Sequence, residues 1–233
     1  MSRGKIGSSR SQSTWKTACL FAILCTSVVA FGTSPTIINA DFSAVPITCG
    51  NGFAYQVGTG VGCQQDFNSA SGFGWTLAIQ NGIGLTAPNT AFEPPPFTGM
   101  PFGQALFLQG GPTSAYQSIG GFNGGTSYVL SFYLGSRYRQ DSLVDGNQSV
   151  EAMVDGTVIG TWTLTSFTPF TLEHASFLVP TGGTHTLDFG TIDAGDHTVF
   201  LSGVSITQPV PEPSSIALLI GPVLLGFRVF KRR

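Results

Sequence analysis

The chain has 233 residues, only 9% of them charged, with 31 Gly, 14 Pro and 19 Phe and a net charge of -2. The near balance conceals a partition: Arg3, Lys5, Arg10 and Lys16 precede the first apolar run, and Arg228, Lys231, Arg232 and Arg233 follow the last. Residues 33–209 hold two basic and eleven acidic residues, a net charge of -9, which excludes nucleic-acid binding because that needs a basic footprint.

At the N-terminus a basic stretch up to Lys16 leads into an apolar run over residues 17–32 that exits on Ala30-Phe31-Gly32. That order describes a signal peptide over residues 1–32, with cleavage near Gly32 and Ala40 as a second option. The alternative, a retained anchor helix, is disfavoured because the run is shorter than the ~20 residues of a membrane span. Cys19 and Cys25 fall inside this run. Cys49 and Cys63 remain, and in an exported chain they are expected to form a disulfide, with two separate thiols as the plain alternative. A loop this short gains about 3 kcal/mol from closure.

Removing the processing segments leaves about 175 residues, enough for one domain with its own core. High Gly, Pro, Phe, Thr and Ser content suits short strands joined by tight turns. Turn signals recur at Asn51-Gly52, Asn81-Gly82, Asn123-Gly124, Asp145-Gly146, Asp155-Gly156 and Gly182-Gly183. Strands are predicted between them at 74–80, 105–109, 127–134, 148–154, 158–164, 170–179, 184–189 and 197–207. Asp155-Gly156 should make a two-residue hairpin turn, since these residues accept positive φ. In the strand around residue 130, Tyr128, Leu130, Phe132 and Leu134 should face the core. The run of prolines at 94–96 reads as a loop projecting from one end. The predicted fold class is all-β, a jelly-roll β-sandwich over 33–207, flanked by an N-terminal signal helix and a short C-terminal hydrophobic helix.

The last stretch has three parts: a Pro-rich linker over 208–215, an apolar run over 216–227 and a basic end. Prolines at 209, 211 and 213 keep the linker extended. About twelve apolar residues rise roughly 18 Å as a helix, a marginal span, and the basic end stays cytoplasmic. This tail resembles the PEP-CTERM sorting signal, with Pro211, Glu212 and Pro213 forming the motif. The resemblance covers residues 210–233 and implies recognition by an exosortase, a membrane-embedded cysteine protease or transpeptidase. The protein would be its substrate, anchored transiently at the inner membrane and then delivered to the cell surface or outside it.

Several segments of the middle, taken in order, resemble the galactose-binding-like jelly rolls of carbohydrate-binding modules. Ile38-Asn39-Ala40-Asp41-Phe42 is similar to the opening N-G-x-F strand and Gly74-Trp75 to the G-W that follows. Tyr116-Gln117-Ser118-Ile119 with residues 125–132 is similar to the Q-x-I…G-x-x-Y-x-L-x-F passage, and residues 200–206 to the closing D-D-V-x-I strand. Ser202 and Gly203 stand where the family often has acidic residues. Of the structural calcium site this resemblance implies, Asp41 is the candidate ligand that remains, and no other metal or cofactor is expected.

Catalytic chemistry is sparsely represented. Hydrolysis of a glycosidic bond needs two carboxylates flanking it, but Asp141, Asp145, Asp155, Asp193 and Asp196 all sit in apparent turns. His174, His185 and His197 read as surface strand residues, and no G-x-S-x-G elbow or phosphate-binding glycine loop occurs. Arg137 and Arg139 fall on one strand face with Tyr138 on the other. They would bind an acidic sugar or sulfate or, more often, pair with Asp141, Asp145 or another of the domain's many carboxylates. Trp75, Trp162, Tyr116 and Tyr133 would stack on sugar rings if exposed and fill the core if not. Trp75, Tyr138, Arg137 and Arg139 are thus the candidate ligand contacts. The expected function is that of a non-catalytic, exported surface or matrix protein with polysaccharide as its ligand; a glycan-active hydrolase and a ligand-less structural protein are the alternatives.

Overall fold

The computed structural model describes residues 34–78, 82–92, 94–97, 102–137, 147–165 and 167–209. The signal segment, the sorting tail with Pro211, Glu212 and Pro213, and Tyr138, Arg139, Asp141 and Asp145 lie outside these residues. Twelve strands are described: β1 (Phe53–Gln56), β2 (Gln64–Gln65), β3 (Thr76–Leu77), β4 (Gly82–Thr86), β5 (Ala105–Gln109), β6 (Thr113–Phe122), β7 (Thr126–Ser136), β8 (Gln148–Val154), β9 (Thr157–Leu164), β10 (Thr171–Val179), β11 (Gly183–Thr191) and β12 (Thr198–Thr207). They form a seven-stranded sheet, β10-β7-β12-β5-β4-β1-β2, and a five-stranded sheet, β3-β6-β11-β8-β9. Only the β1–β2 pair is parallel. The domain is the all-β sandwich expected.

The main core lies between the sheets and follows the period-2 rule of pleated strands. Tyr128, Leu130, Phe132 and Leu134 all face it, as the alternation predicts, against Leu187 and Phe189 of β11. The hairpin at Asp155-Gly156 also forms: Val154 pairs with Thr157, and φ is 50° at Asp155 and 75° at Gly156. Cys49 and Cys63 are disulfide-bonded, with Cα atoms 6.1 Å apart.

Three expectations are corrected. The proline segment does not project. Pro94 and Pro95 are buried, and a Cβ at Gly135 would come 2.8 Å from Pro95 Cγ. The segment lies on the outer face of the seven-stranded sheet, because its Phe92, Phe97 and Phe102 have aromatic partners there. Phe92 packs on Phe107 with centroids 4.2 Å apart, and Phe97 and Phe102 both pack on Phe170 at 5.0 and 5.5 Å. Such ring pairs each contribute about 0.5–1.5 kcal/mol beyond area burial. They make a second core with Ala105 and Phe200, which explains why every residue of β4 is buried.

Residues 38–42 form a turn, not an opening strand. Asn39 and Phe42 have φ of 52° and 58°, and Asn39 Oδ1 accepts from the Ala44 amide at 2.9 Å. The pairing a strand would have made comes instead from Gln117, whose Oε1 accepts from Ile38 N at 2.8 Å and whose Nε2 donates to Ile38 O at 2.9 Å.

His185 is buried, 8% exposed, rather than on the surface. It sits edge-on to Phe122 with centroids 5.2 Å apart. Its Nδ1 lies 2.5 Å from Asp155 Oδ2, and its Nε2 lies 2.9 Å from Thr181 O. Both partners are acceptors, so the imidazolium satisfies both bonds. The Asp155 bond raises the His185 pKa above its ordinary 6.5, against the opposing effect of burial. The His185 bond, with the Thr186 amide, lowers that of Asp155 below 3.8. Stability from His185 is therefore complete below its ordinary pKa and is lost as pH rises through the raised folded value. The Asp155 share is present above its ordinary pKa and is lost as pH falls through the lowered one. Urea midpoints across pH should decline for the wild type above the ordinary His pKa and stay flat for His185→Gln in that window; parallel profiles would rule out this linkage.

Candidate functional site

The aromatic segment covers the central part of the outer face of the seven-stranded sheet, while β10 at its edge leaves Leu172 and Leu178 exposed; the five-stranded sheet presents an open outer face. Its strands alternate, so Leu77, Ala115, Leu187, Phe189, Val150 and Ala152 point into the core and their neighbours point outward. The register lines these neighbours up in two rows. In one, Thr76 (β3) pairs with Tyr116 (β6), Tyr116 with Asp188 (β11), and Asp188 with Met153 (β8). In the other, Ser114 (β6) pairs with Gly190 (β11), Gly190 with Glu151 (β8), and Glu151 with Thr161 (β9).

The second row is low in its middle because Gly190 has no side chain. A Cβ there would come within 3.4 Å of Met153 Cε and fill the floor. The result is a trough of about 300 Å³ between Ser114 on one side and Glu151 and Met153 on the other. Tyr116 stands beside it, 38% exposed. An aromatic ring offers the C–H face of a sugar an apolar partner, and carboxylates and hydroxyls accept and donate to its hydroxyls.

Asp188 is the costly member of this arrangement. Burial raises its pKa above 3.8, only partly offset by a hydrogen bond from Ser114, and its Oδ1 has no hydrogen-bond partner. A shielded acceptor without a donor costs about 1–3 kcal/mol. Glu151 lies diagonally from it, opposite Gly190, so the two carboxylates share one surface side by side. Arg137 is the one Lys or Arg among the described residues, and it lies elsewhere. The face therefore suits a neutral, hydroxyl-rich ligand.

The residues singled out from sequence are dispersed. Trp75 is 2% exposed, packed against Phe42 and Phe189 with its indole N–H donating to Asn39 O at 3.2 Å. It fills the core, next to Gly74 with its φ of 74°. Trp162 sits edge-on to Phe132 at 4.9 Å, and Tyr133 packs against Phe102 at 5.6 Å. Of the four aromatics weighed, Tyr116 is the exposed one. Arg137 lies over the Phe92 ring at 4.8 Å and pairs with Asp196 at 3.6 Å, so its charge is met within the protein rather than offered to an acidic sugar. Asp41 accepts from Ser43 N at 3.2 Å and Ser43 Oγ at 2.7 Å. Ser202 Oγ donates to Gln104 O at 2.9 Å, where the resembling family places an acidic side chain. Sequence reading missed Asp188 and Glu151, whose pairing with Tyr116 and Gly190 depends on the order β6-β11-β8.

No protein-family model matches this chain, and no curated protein matches it. Among solved structures, the domain is similar to a Stig cyclase from Fischerella sp. TAU bound to (3Z)-3-(1-methyl-2-pyrrolidinylidene)-3H-indole, with TM-score 0.53 and 14% identity over 78% of this chain and 100% of the cyclase. A second cyclase structure from Fischerella sp. TAU gives 0.52 and 15% over 78% and 99%. A xylan-binding domain from CBM 22 aligns with TM-score 0.41 and 14% identity over 62% of this chain and 94% of that domain. The cyclase likeness is one of fold, a two-sheet β-sandwich, and the xylan-binding domain is too distant to bear on the ligand.

Because Asp188 is held in a place that disfavours its charge, Asp188→Asn should raise the urea midpoint at neutral pH, and the gain should vanish in acid, where the wild-type carboxyl is protonated. A lower midpoint at neutral pH that recovers in acid would show instead that the carboxylate stabilises the fold.

Proposed function

We propose that this is an exported, surface-sorted, non-catalytic protein of the cell envelope or extracellular matrix whose β-sandwich binds neutral polysaccharide. The observation that carries the binding reading is the row Tyr116-Asp188-Met153 beside the Gly190 trough: an exposed ring and an under-bonded carboxylate held together at a cost in stability. Stability given up at a site is one form that a trade-off between folding and function takes.

Binding is favoured over hydrolysis by the placement of the acids. A glycosidase sets its two carboxylates on opposite sides of the scissile bond. Asp188 and Glu151 instead lie in one open surface, where they can accept hydroxyl hydrogens from the same side of a sugar. The ligand-less structural reading is disfavoured by the same exposed ring and trough.

The delivery half of the proposal rests on residues 1–32 and 208–233. It takes the chain across the inner membrane, holds it there by the apolar tail and hands it to an exosortase-type enzyme through Pro211-Glu212-Pro213. The Cys49–Cys63 disulfide suits an oxidising compartment.

A glycan array and polysaccharide pulldown with the purified full chain should give selective binding to neutral glycans, weakened about tenfold, or roughly 1.4 kcal/mol, in Tyr116→Ala and in Asp188→Asn. Wild-type binding to no glycan above background would reject the carbohydrate reading. For sorting, replacing Pro211-Glu212-Pro213 with alanines should leave an unprocessed, membrane-retained form in cell fractions; unchanged processing would reject an exosortase-type signal.

A further inference from the structure

Among the described residues the two sheets end in four edge strands, β10 and β2 in one and β3 and β9 in the other. Three of them carry a guard against pairing with a further strand. β2 and β3 are two residues long. β9 is bulged at Ile159, where its pairing with β8 shifts between Ala152 and Met153, and a bulge twists an edge away from a newcomer. β10 has no such device. It pairs with β7 over nine residues, Thr171–Val179, without a shift in register, and it contains no proline, lysine or arginine. Its far side is a row of backbone groups ready to receive a strand.

The polar side chains of β10 are engaged within the domain. Glu173 accepts from Thr171 Oγ1 at 2.9 Å, and His174 Nδ1 lies 2.8 Å from Ser131 Oγ of β7. What the outer face of β10 offers is therefore Leu172 and Leu178, 47% and 63% exposed. Along the same edge runs a groove of about 460 Å³, lined by residues 176–180 on one side and by Thr157, Val158 and Ile159 on the other. Asp155, also in its lining, meets His185, so its charge is answered within the domain.

The two leucines are placed symmetrically. Leu172 and Leu178 each lie three residues from Ala175, on one face of the strand. When two β10 strands run antiparallel about a two-fold axis at Ala175, residue 172 of each copy falls opposite 178 of the other, and 174 opposite 176. Cross-strand partners have Cβ atoms about 4.5–5.5 Å apart, so the leucines close on each other at both ends of the pair. We propose that β10 is a homodimer interface through which two copies of this domain join their seven-stranded sheets edge to edge at Ala175. Self-pairing matches every exposed leucine of the strand with another, and a contact of this isologous kind closes at two. Each copy carries a net charge of -9 over residues 33–209, yet this register opposes no carboxylates, because Glu173 falls opposite Phe177 of the second copy. Residues 171–174 of the second copy then run beside 176–179, along the groove. The two five-stranded sheets lie on one side of the pair, and both troughs face the same way.

Sedimentation equilibrium of the purified full chain tests this. The wild type should be a mixture of monomer and dimer whose dimer share rises with concentration. Leu172→Glu and Leu178→Lys should each raise the dimer dissociation constant at least about tenfold. Both positions are exposed, so the thermal midpoint of each variant should stay near that of the wild type; Ser176→Lys, at an exposed position on the same face, gives the same reading should a leucine variant lose its melting transition. Mixing the Leu172→Glu and Leu178→Lys chains should restore the dimer, because the register sets the two substituted positions opposite each other with opposite charges. A wild type that is monomeric at every concentration would overturn the proposal, as would a dimer that none of the substitutions touches. Weakening by both leucine variants without recovery on mixing would overturn the two-fold register at Ala175 and the pairing built on it.

Discussion

Phe92, Phe97 and Phe102 laid against the outer face of the seven-stranded sheet set the rest of the molecule in order. A two-sheet sandwich ordinarily buries one face of each sheet. Here the centre of the larger sheet is buried on both, between the main core and the aromatic cluster of Phe107, Phe170 and Phe200. Its central strands lose the polar face that alternation would give them, and β4 and β5 become almost wholly buried. The two sheets then have different duties. One is covered at its centre, and the other keeps a polar outer surface.

That division also governs where charge can go. Arg137 rests on Phe92 and reaches Asp196, so the one cation among the described residues is tied to the covered sheet and its end. On the outer face of the open sheet, Asp188 and Glu151 have no Lys or Arg beside them among the described residues. Asp188 is raised in pKa by burial on the same strand as His185, whose two nitrogens are both satisfied. β11 thus has one ionisable group that the fold supports well at its inner start and one that it supports poorly at its outer middle.

How much of this could be read from the residues depends on what each segment offers. The 126–136 strand is legible because large apolar residues alternate without interruption and the far face of that strand is polar enough to show the period. The Asp155-Gly156 hairpin is legible because positive φ at two successive positions restricts the residue types. β6 escapes notice because Thr-Ser-Ala-Tyr-Gln-Ser-Ile-Gly-Gly-Phe has few large side chains, though it forms ten residues of strand. The proline segment misleads because proline speaks for extended backbone and says nothing of what the intervening phenylalanines will touch. Tyr116 can be suspected from its type, but Asp188 and Glu151 become its companions only through strand order, which no local pattern carries.

The turn at 38–42 has a consequence for where this chain can be cut. Ile38 is bonded at both its amide and its carbonyl by Gln117, Asn39 O receives the Trp75 indole, and Ala40 O accepts from Val204 N at 2.9 Å. A peptidase acting after Ala40 would carry off the partners of a buried glutamine and a buried tryptophan, leaving both with unmet polar groups inside the sandwich. Cleavage near Gly32 leaves all of these bonds in place. Of the two cleavage sites expected from the sequence, the one near Gly32 is thus the one that would leave these bonds intact.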